Sequence, residues 1–389
     1  MYKWSHVVKR LIFISIVVTG CVEPYSPPAI NKNISIVVVD GFINGTDGSA
    51  TVRLTKAVAL IEEDEYPTVT GAVVKIRSEK GDSYTLSEEG SGQYTAHGLI
   101  VDPATKYQLT IHTSGDGDII SDYISLTQTP PIDSITWRPD EAGITIYVNT
   151  HDDTKRSRYY HWDYVETWNY QSPYMSQFTK LNGEIISREP KDLTSICYKT
   201  VPSTNIVVGS TVRLSEDVVH DLPLTYIPQE DSKLSILYSI LVRQRVIEET
   251  EYKFWQDLQK VTESVGGLFD SQPYEILGNV HAMDGSVPVL GYFSAGFMAE
   301  KRLFVSLQDL PKELQKRPFH GCHLDSVCLI AGPSVPFQCA IDVPNLPENS
   351  YLISTITLDG ALLGYTMSTM ACADCRVQGG VLEKPDFWP

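Results

Sequence analysis

Turn-forming clusters that recur at short intervals constrain this chain more than any other feature. Asn44-Gly45-Thr46-Asp47-Gly48, Lys80-Gly81-Asp82, Glu89-Gly90-Ser91-Gly92 and Ser114-Gly115-Asp116-Gly117 punctuate its first third. Glycine supplies the positive φ that tight turns need, and Asn or Asp bonds its own backbone there. The stretches between these clusters are too short for stable helices and fit strands at 34–39, 51–55, 72–77, 83–86, 93–96, 107–112 and 119–126. Their β-branched and aromatic content agrees, as do the 21 Tyr of the whole chain. About seven strands at this spacing predict an immunoglobulin-like β-sandwich over residues 34–127. Thr127-Gln128-Thr129-Pro130-Pro131 then reads as an inter-domain linker.

Residues 132–389 read as a larger β-rich domain, with strands at 143–149, 159–170, 205–214, 233–246, 289–297 and 303–307. The run 233–246 alternates, placing Leu234, Ile236, Tyr238, Ile240 and Val242 on one face. One helix is predicted over 248–265, where Phe254, Leu258, Val261 and Val265 recur at helical spacing and Gly266-Gly267 stops the pattern. The expected fold class is therefore mainly β: an N-terminal immunoglobulin-like sandwich, then a larger β-rich domain with one clear α-helix.

The first twenty residues have a different character. Lys3, Lys9 and Arg10 precede an apolar run at 11–18, followed by Thr19, Gly20 and Cys21. A basic start, an apolar core and small residues at a cut describe a signal peptide over 1–20. The run is short of the roughly 20 apolar residues that a spanning helix needs. Val18-Thr19-Gly20-Cys21 is a lipobox: the bond between Gly20 and Cys21 is cut, and the Cys21 thiol carries diacylglycerol. Acyl chains contribute about 0.8 kcal/mol per buried methylene, so Cys21 would anchor the protein in membrane lipid. Residues 21–33, with Pro24, Pro27 and Pro28, form the lipidated tether.

The six other cysteines, Cys197, Cys322, Cys328, Cys339, Cys372 and Cys375, form an even set in an exported chain and read as disulfides. Six cysteines permit 15 pairings, so connectivity stays open. Cys372-Ala373-Asp374-Cys375 also has the spacing of a zinc or redox motif, with His320, Cys322 and His323 as further zinc ligands. An oxidising compartment works against thiolate ligands, and the βαβ context of a redox motif is missing. No metal and no cofactor are expected.

The net charge of −17 becomes more negative once the three basic leader residues are removed. Such a chain lacks the Lys and Arg that neutralise phosphates, which argues against nucleic acid. Gly-x-Ser-x-Gly, His-Glu-x-x-His, a phosphate loop and a dinucleotide fingerprint are all missing from the sequence. A non-catalytic protein is expected. Among 48 acids a carboxylate pair for glycoside hydrolysis would arise by chance, so a polymer-degrading enzyme is the weaker alternative. His151-Asp152-Asp153 reads as a solvated loop, and the glycine-rich stretch 266–273 as a turn or a partner contact.

One candidate binding surface stands out. Between 160 and 170, period two puts Tyr160, Trp162, Tyr164, Trp168 and Tyr170 on one strand face. Such a face either stacks on a sugar or peptide ligand or packs inward, where aromatic pairs are common.

Several segments in order resemble the Bacteroidota outer-membrane lipoproteins classed as domain of unknown function 4249. They are Cys21-Val22-Glu23-Pro24-Tyr25, Val38-Val39-Asp40-Gly41, Tyr66-Pro67-Thr68-Val69-Thr70-Gly71-Ala72 and Pro131-Ile132-Asp133-Ser134. Further along come Tyr238-Ser239-Ile240-Leu241-Val242-Arg243-Gln244, Phe254-Trp255, Gly267-Leu268-Phe269-Asp270 and Leu290-Gly291-Tyr292-Phe293-Ser294-Ala295. Cys372-Ala373-Asp374-Cys375, Gly379-Gly380 and Lys384-Pro385-Asp386-Phe387-Trp388 close the series. The resemblance implies an outer-membrane location and brings no established activity or catalytic residue. It implies an accessory role beside a TonB-dependent outer-membrane receptor in the uptake of a small-molecule or oligomeric nutrient. A structural or adhesive surface lipoprotein is the alternative.

Overall fold

The computed structural model describes residues 36–57, 67–263, 276–285, 288–315, 321–329 and 340–389. The protein is mainly β, with one long helix, Glu249–Glu263. The predicted signal peptide with Gly20, Cys21, the predicted tether, the stretch 266–273, His320 and Cys339 lie outside the described residues.

Two sheets face each other in the first sandwich. One holds the strands Ile36–Asn44, Ser49–Ala57, Gln93–Ala96 and Ser87–Gly90; the other holds Lys106–Thr113, Val73–Ser78, Ser83–Thr85 and Gly117–Ser121. Alternation does the sorting. Val37, Val39 and Ile43 point inward to meet Val74, Ile76, Leu109 and Ile111, all buried. Most of this unit matches the predicted 34–127, with a difference in its completion. Val289–Gly296 enters from far along the chain and pairs parallel with Ile36–Asn44, while Val280–Ala282 pairs with Gly117–Ser121. Phe293, fully buried, fills the core from this inserted strand. Residues 34–127 alone would leave that core open, so the sandwich is made from two distant segments.

The approach of the two parallel strands explains one glycine. Gly291 has φ +144°, and a Cβ there would lie 1.9 Å from the carbonyl oxygen of Val39. Any side chain would push the strands apart.

A second sandwich opposes the sheet of Ile132–Pro139, Gly143–His151 and Val218–Pro228 to the sheet of Ile196–Pro202, Tyr159–Gln171, Leu237–Val246 and Ala299–Ser306. Ile144, Ile146 and Val148 meet Tyr238, Ile240 and Val242 in its core. The alternation read in 233–246 is realised, although Ser232–Leu234 forms a 3-10 turn before the strand begins. The predicted linker is woven between the sandwiches. The Thr127 hydroxyl donates to Val246 O at 2.7 Å, Val246 N–H donates to Thr129 Oγ1 at 2.9 Å, and Gln244 Nε2 donates to Pro130 O at 2.9 Å.

A third, six-stranded sheet carries its own small core of Val327, Leu346, Leu352 and Tyr365. Its central hairpin, Tyr351–Leu358 with Ala361–Ser368, turns at Asp359-Gly360, both at positive φ. Lys180 ties this sheet to the turn beneath it. Its buried ammonium donates to the carbonyls of Val343, Pro344 and Leu346 at 3.1, 3.2 and 2.7 Å.

The helix Glu249–Glu263 presents Glu251 and Phe254 as its buried residues, whereas Val261 is exposed. The seam predicted from Phe254 onward is thus shifted toward the N-terminal turns, and an acid lies in it. Gly291→Ala tests the parallel junction: the added methyl is expected to destabilise the fold by about 2 kcal/mol or more in urea titration. A variant as stable as the parent would show that the strands do not approach this closely.

Candidate functional site

The aromatic strand is core. Tyr160, Trp162, Tyr164, Trp168 and Tyr170 are all nearly inaccessible and pack within the second sandwich. Their polar ends are also engaged inside the protein. Tyr160 donates to Asp217 Oδ1 at 3.0 Å, Trp162 Nε1 to Gln244 Oε1 at 2.8 Å, and Tyr170 to Cys375 O at 2.8 Å. Tyr164 Oη accepts from Asn205 Nδ2 at 3.3 Å. Trp168 differs, its buried indole N–H lacking a partner, but Lys233 and Lys199 stand over its ring at 5.5 and 6.0 Å. The candidate ligand face is therefore withdrawn: the opposing sheet covers it, because five large aromatics in a row gain most by burial. Glu166, at the missing position of the row, is buried too and accepts from Lys233 Nζ and Tyr238 Oη, both at 2.8 Å. Burial and this carboxylate push the Tyr238 hydroxyl well above its ordinary pKa.

The cysteines cross-link distant segments. Cys197 bonds Cys375 and Cys322 bonds Cys372, across sequence separations of 178 and 50. Cys328 is disulfide-bonded as well. The two cysteines of Cys372-Ala373-Asp374-Cys375 thus serve different partners instead of each other, and Cys322 is spent as a zinc ligand. Among the described residues no cluster of His, Cys, Asp and Glu is arranged to hold a metal. Asp152 is likewise engaged locally. Its carboxylate accepts from the Thr154, Arg156 and Ser157 backbone N–H groups, as a solvated turn would.

The polar site that sequence reasoning missed lies where the two sandwiches and the helix meet. Arg245, on Leu237–Val246, is its centre. It pairs with Glu251 at 2.9 Å and donates to Ser294 Oγ at 2.7 Å. Its Nε lies 3.4 Å from His161 Nδ1, and the guanidinium stacks on the Phe42 ring at 5.0 Å. Each contact comes from a different element: the helix, the inserted strand, the aromatic strand and the first strand of the fold. Trp255 donates from its indole to Glu251 at 3.1 Å and packs on His161. A mixed ring of Asp40, Asp163, Arg243 and Glu300 borders this centre. Arg243 bonds Glu300 at 2.9 Å and lies 3.8 Å from Asp163.

Asp40 and Asp163 keep accessible surface, and the protein packed around them withdraws part of their hydration. Burial raises the pKa of Asp40, Asp163 and Glu251, with Arg245 opposing the rise in each case. Burial, then Arg245, holds His161 well below the ordinary imidazole value, so it is neutral. Chemically this arrangement is a lock. Its innermost ion pair satisfies itself, and its outer carboxylates sit above their usual proton affinity. A signal for it existed: Glu251 falls three residues before Phe254, on the apolar stripe of the helix, where an acid needs a buried cation.

A family model described as "Domain of unknown function (DUF4249)" matches residues 22–302. The chain belongs to that family. The DUF4249 match takes in the first sandwich, every residue of the Arg245 lock and the second sandwich up to the middle of Ala299–Ser306, and it stops before the C-terminal segments at 372–388. No curated protein matches the chain. Among solved structures, a two-domain fibronectin type III segment from chicken tenascin is similar at 15% identity. That similarity covers 55% of this chain and 91% of that one, with a TM-score of 0.15. The adhesin InvE of Yersinia pseudotuberculosis is similar at 15% identity over 54% of each chain, with a TM-score of 0.14.

Two measurements check the lock. Arg245→Met strands Glu251 in the interior and is expected to cost about 3–5 kcal/mol, while Arg245→Met with Glu251→Leu recovers most of it. Equal losses in the single and double variants would rule out a self-contained pair. The second is pH dependence. A carboxyl with a raised folded pKa binds its proton more tightly in the fold, so its contribution is full below the ordinary carboxylate value and lost as pH rises through the folded one. Asp163→Asn should therefore gain stability relative to the parent as pH rises from about 4 to 7. A difference that stays constant over that range counts against a desolvated Asp163.

Proposed function

We propose that this DUF4249 chain is a lipid-anchored cell-envelope protein without catalytic activity. It serves at the outer membrane as an accessory or ligand-binding partner of a TonB-dependent transporter in nutrient uptake. The observation that carries the anchoring is the leader itself, an apolar run at 11–18 ending in Thr19-Gly20-Cys21. Only a short Pro-rich stretch separates Cys21 from the first described strand at Ile36, so the folded body would stand close to the membrane. The partnership with a transporter follows from the family resemblance. Support for a non-catalytic role comes from the Arg245 lock, whose buried ionisable groups are spent on one another rather than aimed at a substrate.

A second reading, a structural or adhesive surface lipoprotein, is favoured by a body built of β-sandwich units, since such units make good spacers. Uptake and attachment assays on a deletion strain separate the two readings. Normal uptake with altered attachment would favour the spacer.

Replacing Cys21 with Ser tests the anchor. The variant is expected to lose palmitate labelling and to leave the membrane fraction. Continued labelling would sink the lipid claim. Purification of the parent protein in mild detergent should bring down a receptor-type β-barrel, and repeated recovery without one would count against the transporter role.

A further inference from the structure

The outer face of the first sandwich carries a hollow of about 220 Å³ on the side away from the Arg245 lock's inserted strand pairing. Strand register builds it. Val74 and Ile76 turn into the core, so Val73, Lys75 and Arg77 turn outward along one strand. Across the sheet, Lys75 lies opposite Thr110 and Val73 opposite His112, and His112 in turn lies opposite Asp118. Met283 closes the end, fixed by its N–H to Asp118 O at 2.9 Å.

The charges of this hollow are unbalanced. Asp118 is engaged by His112 Nδ1 at 2.6 Å. Lys75 and Arg77 line the hollow and have no acidic partner among the described residues. Their stems stand about 7 Å apart on one strand face, near enough for both long side chains to reach one anion. The two cations stand side by side on one strand face of a chain whose net charge is −17. Like charges on one sheet face repel, and an anion between them removes that cost. Arg77 offers a planar fork suited to an oxyanion, and Lys75 a point charge beside it. The Thr110 hydroxyl, which donates to Lys75 O at 3.4 Å, leaves its oxygen to accept from a ligand hydroxyl, and the exposed Val73 and Met283 supply an apolar flank.

We propose that this hollow binds a small ligand through a single anionic group held between Lys75 and Arg77. Its volume is below the roughly 300–1,000 Å³ of sites for drug-sized molecules, so the ligand is of monosaccharide or amino-acid size. A sugar acid fits: its carboxylate meets the two cations, one hydroxyl meets Thr110, and its C–H face rests on Val73 and Met283. The site is separate from the anchor and the transporter partnership, and stands or falls without them.

The test is calorimetric titration of the full chain in mild detergent with glucuronate, glucose, inorganic sulfate and inorganic phosphate. Glucuronate is expected to bind and glucose, its neutral counterpart, to bind at least about tenfold more weakly. Lys75→Gln and Arg77→Gln should each weaken glucuronate by about tenfold with melting temperature unchanged, as both side chains lie on the surface. Binding of sulfate or phosphate in place of glucuronate, with the same dependence on Lys75 and Arg77, supports the anion site and assigns a sulfated or phosphorylated ligand. If no anion binds the parent, or if the two variants bind as well as the parent, the proposal is overturned.

Discussion

Everything in this protein depends on one strand pairing that the chain makes late. Ile36–Asn44 has an antiparallel neighbour close by in sequence, but its other edge waits for Val289–Gly296. A parallel pair needs a long connection. Here the connection carries the rest of the first sandwich, most of the second and the helix, while Ala299–Ser306 of the second sandwich follows it. The two units are therefore interleaved along the chain, and a single cut between them would take a strand from one or the other. Phe293 and Gly291 mark the cost of that arrangement, one filling the first core and the other letting the backbones touch.

The Arg245 lock sits where this return crosses the second sandwich. It brings a strand from each unit and the helix against one guanidinium. Burying an ion pair gives little net stability, because desolvation offsets most of the attraction. What it gives here is register. Ser294, Glu251 and His161 meet at one guanidinium, so a misplaced inserted strand would lose the Ser294 contact.

Much of this architecture was legible in the sequence. The strands at 72–77 and 107–112 alternate cleanly and are bounded by glycine-rich turns, so their place in a sandwich followed from local rules. The cysteines were legible as disulfides, although the separate partners of Cys372 and Cys375 depend on the path of the tail across the second sandwich. Readable but unread was Asp359-Gly360, a turn signal flanked by Tyr351–Leu358 and Ala361–Ser368. Val289–Gly296 was legible as a strand, but nothing local says which sheet receives it, since pairing partners are non-local. The aromatic row showed its periodicity without its side, because a packed face and a ligand face carry the same pattern. Glu251 on the apolar stripe of the helix asks for a buried cation, but that Arg245 supplies it is a fact of three dimensions.

The first strand also has a mechanical meaning. Ile36–Asn44 is where any tension along the tether would enter the fold, and it is flanked on both sides by paired strands. A pull along its axis would load both ladders in shear, so their hydrogen bonds would share the force instead of yielding one after another. A strand at a sheet edge, pulled sideways, would unzip. Placed between an antiparallel and a parallel neighbour, the first described strand is the part of the first sandwich best suited to bearing load.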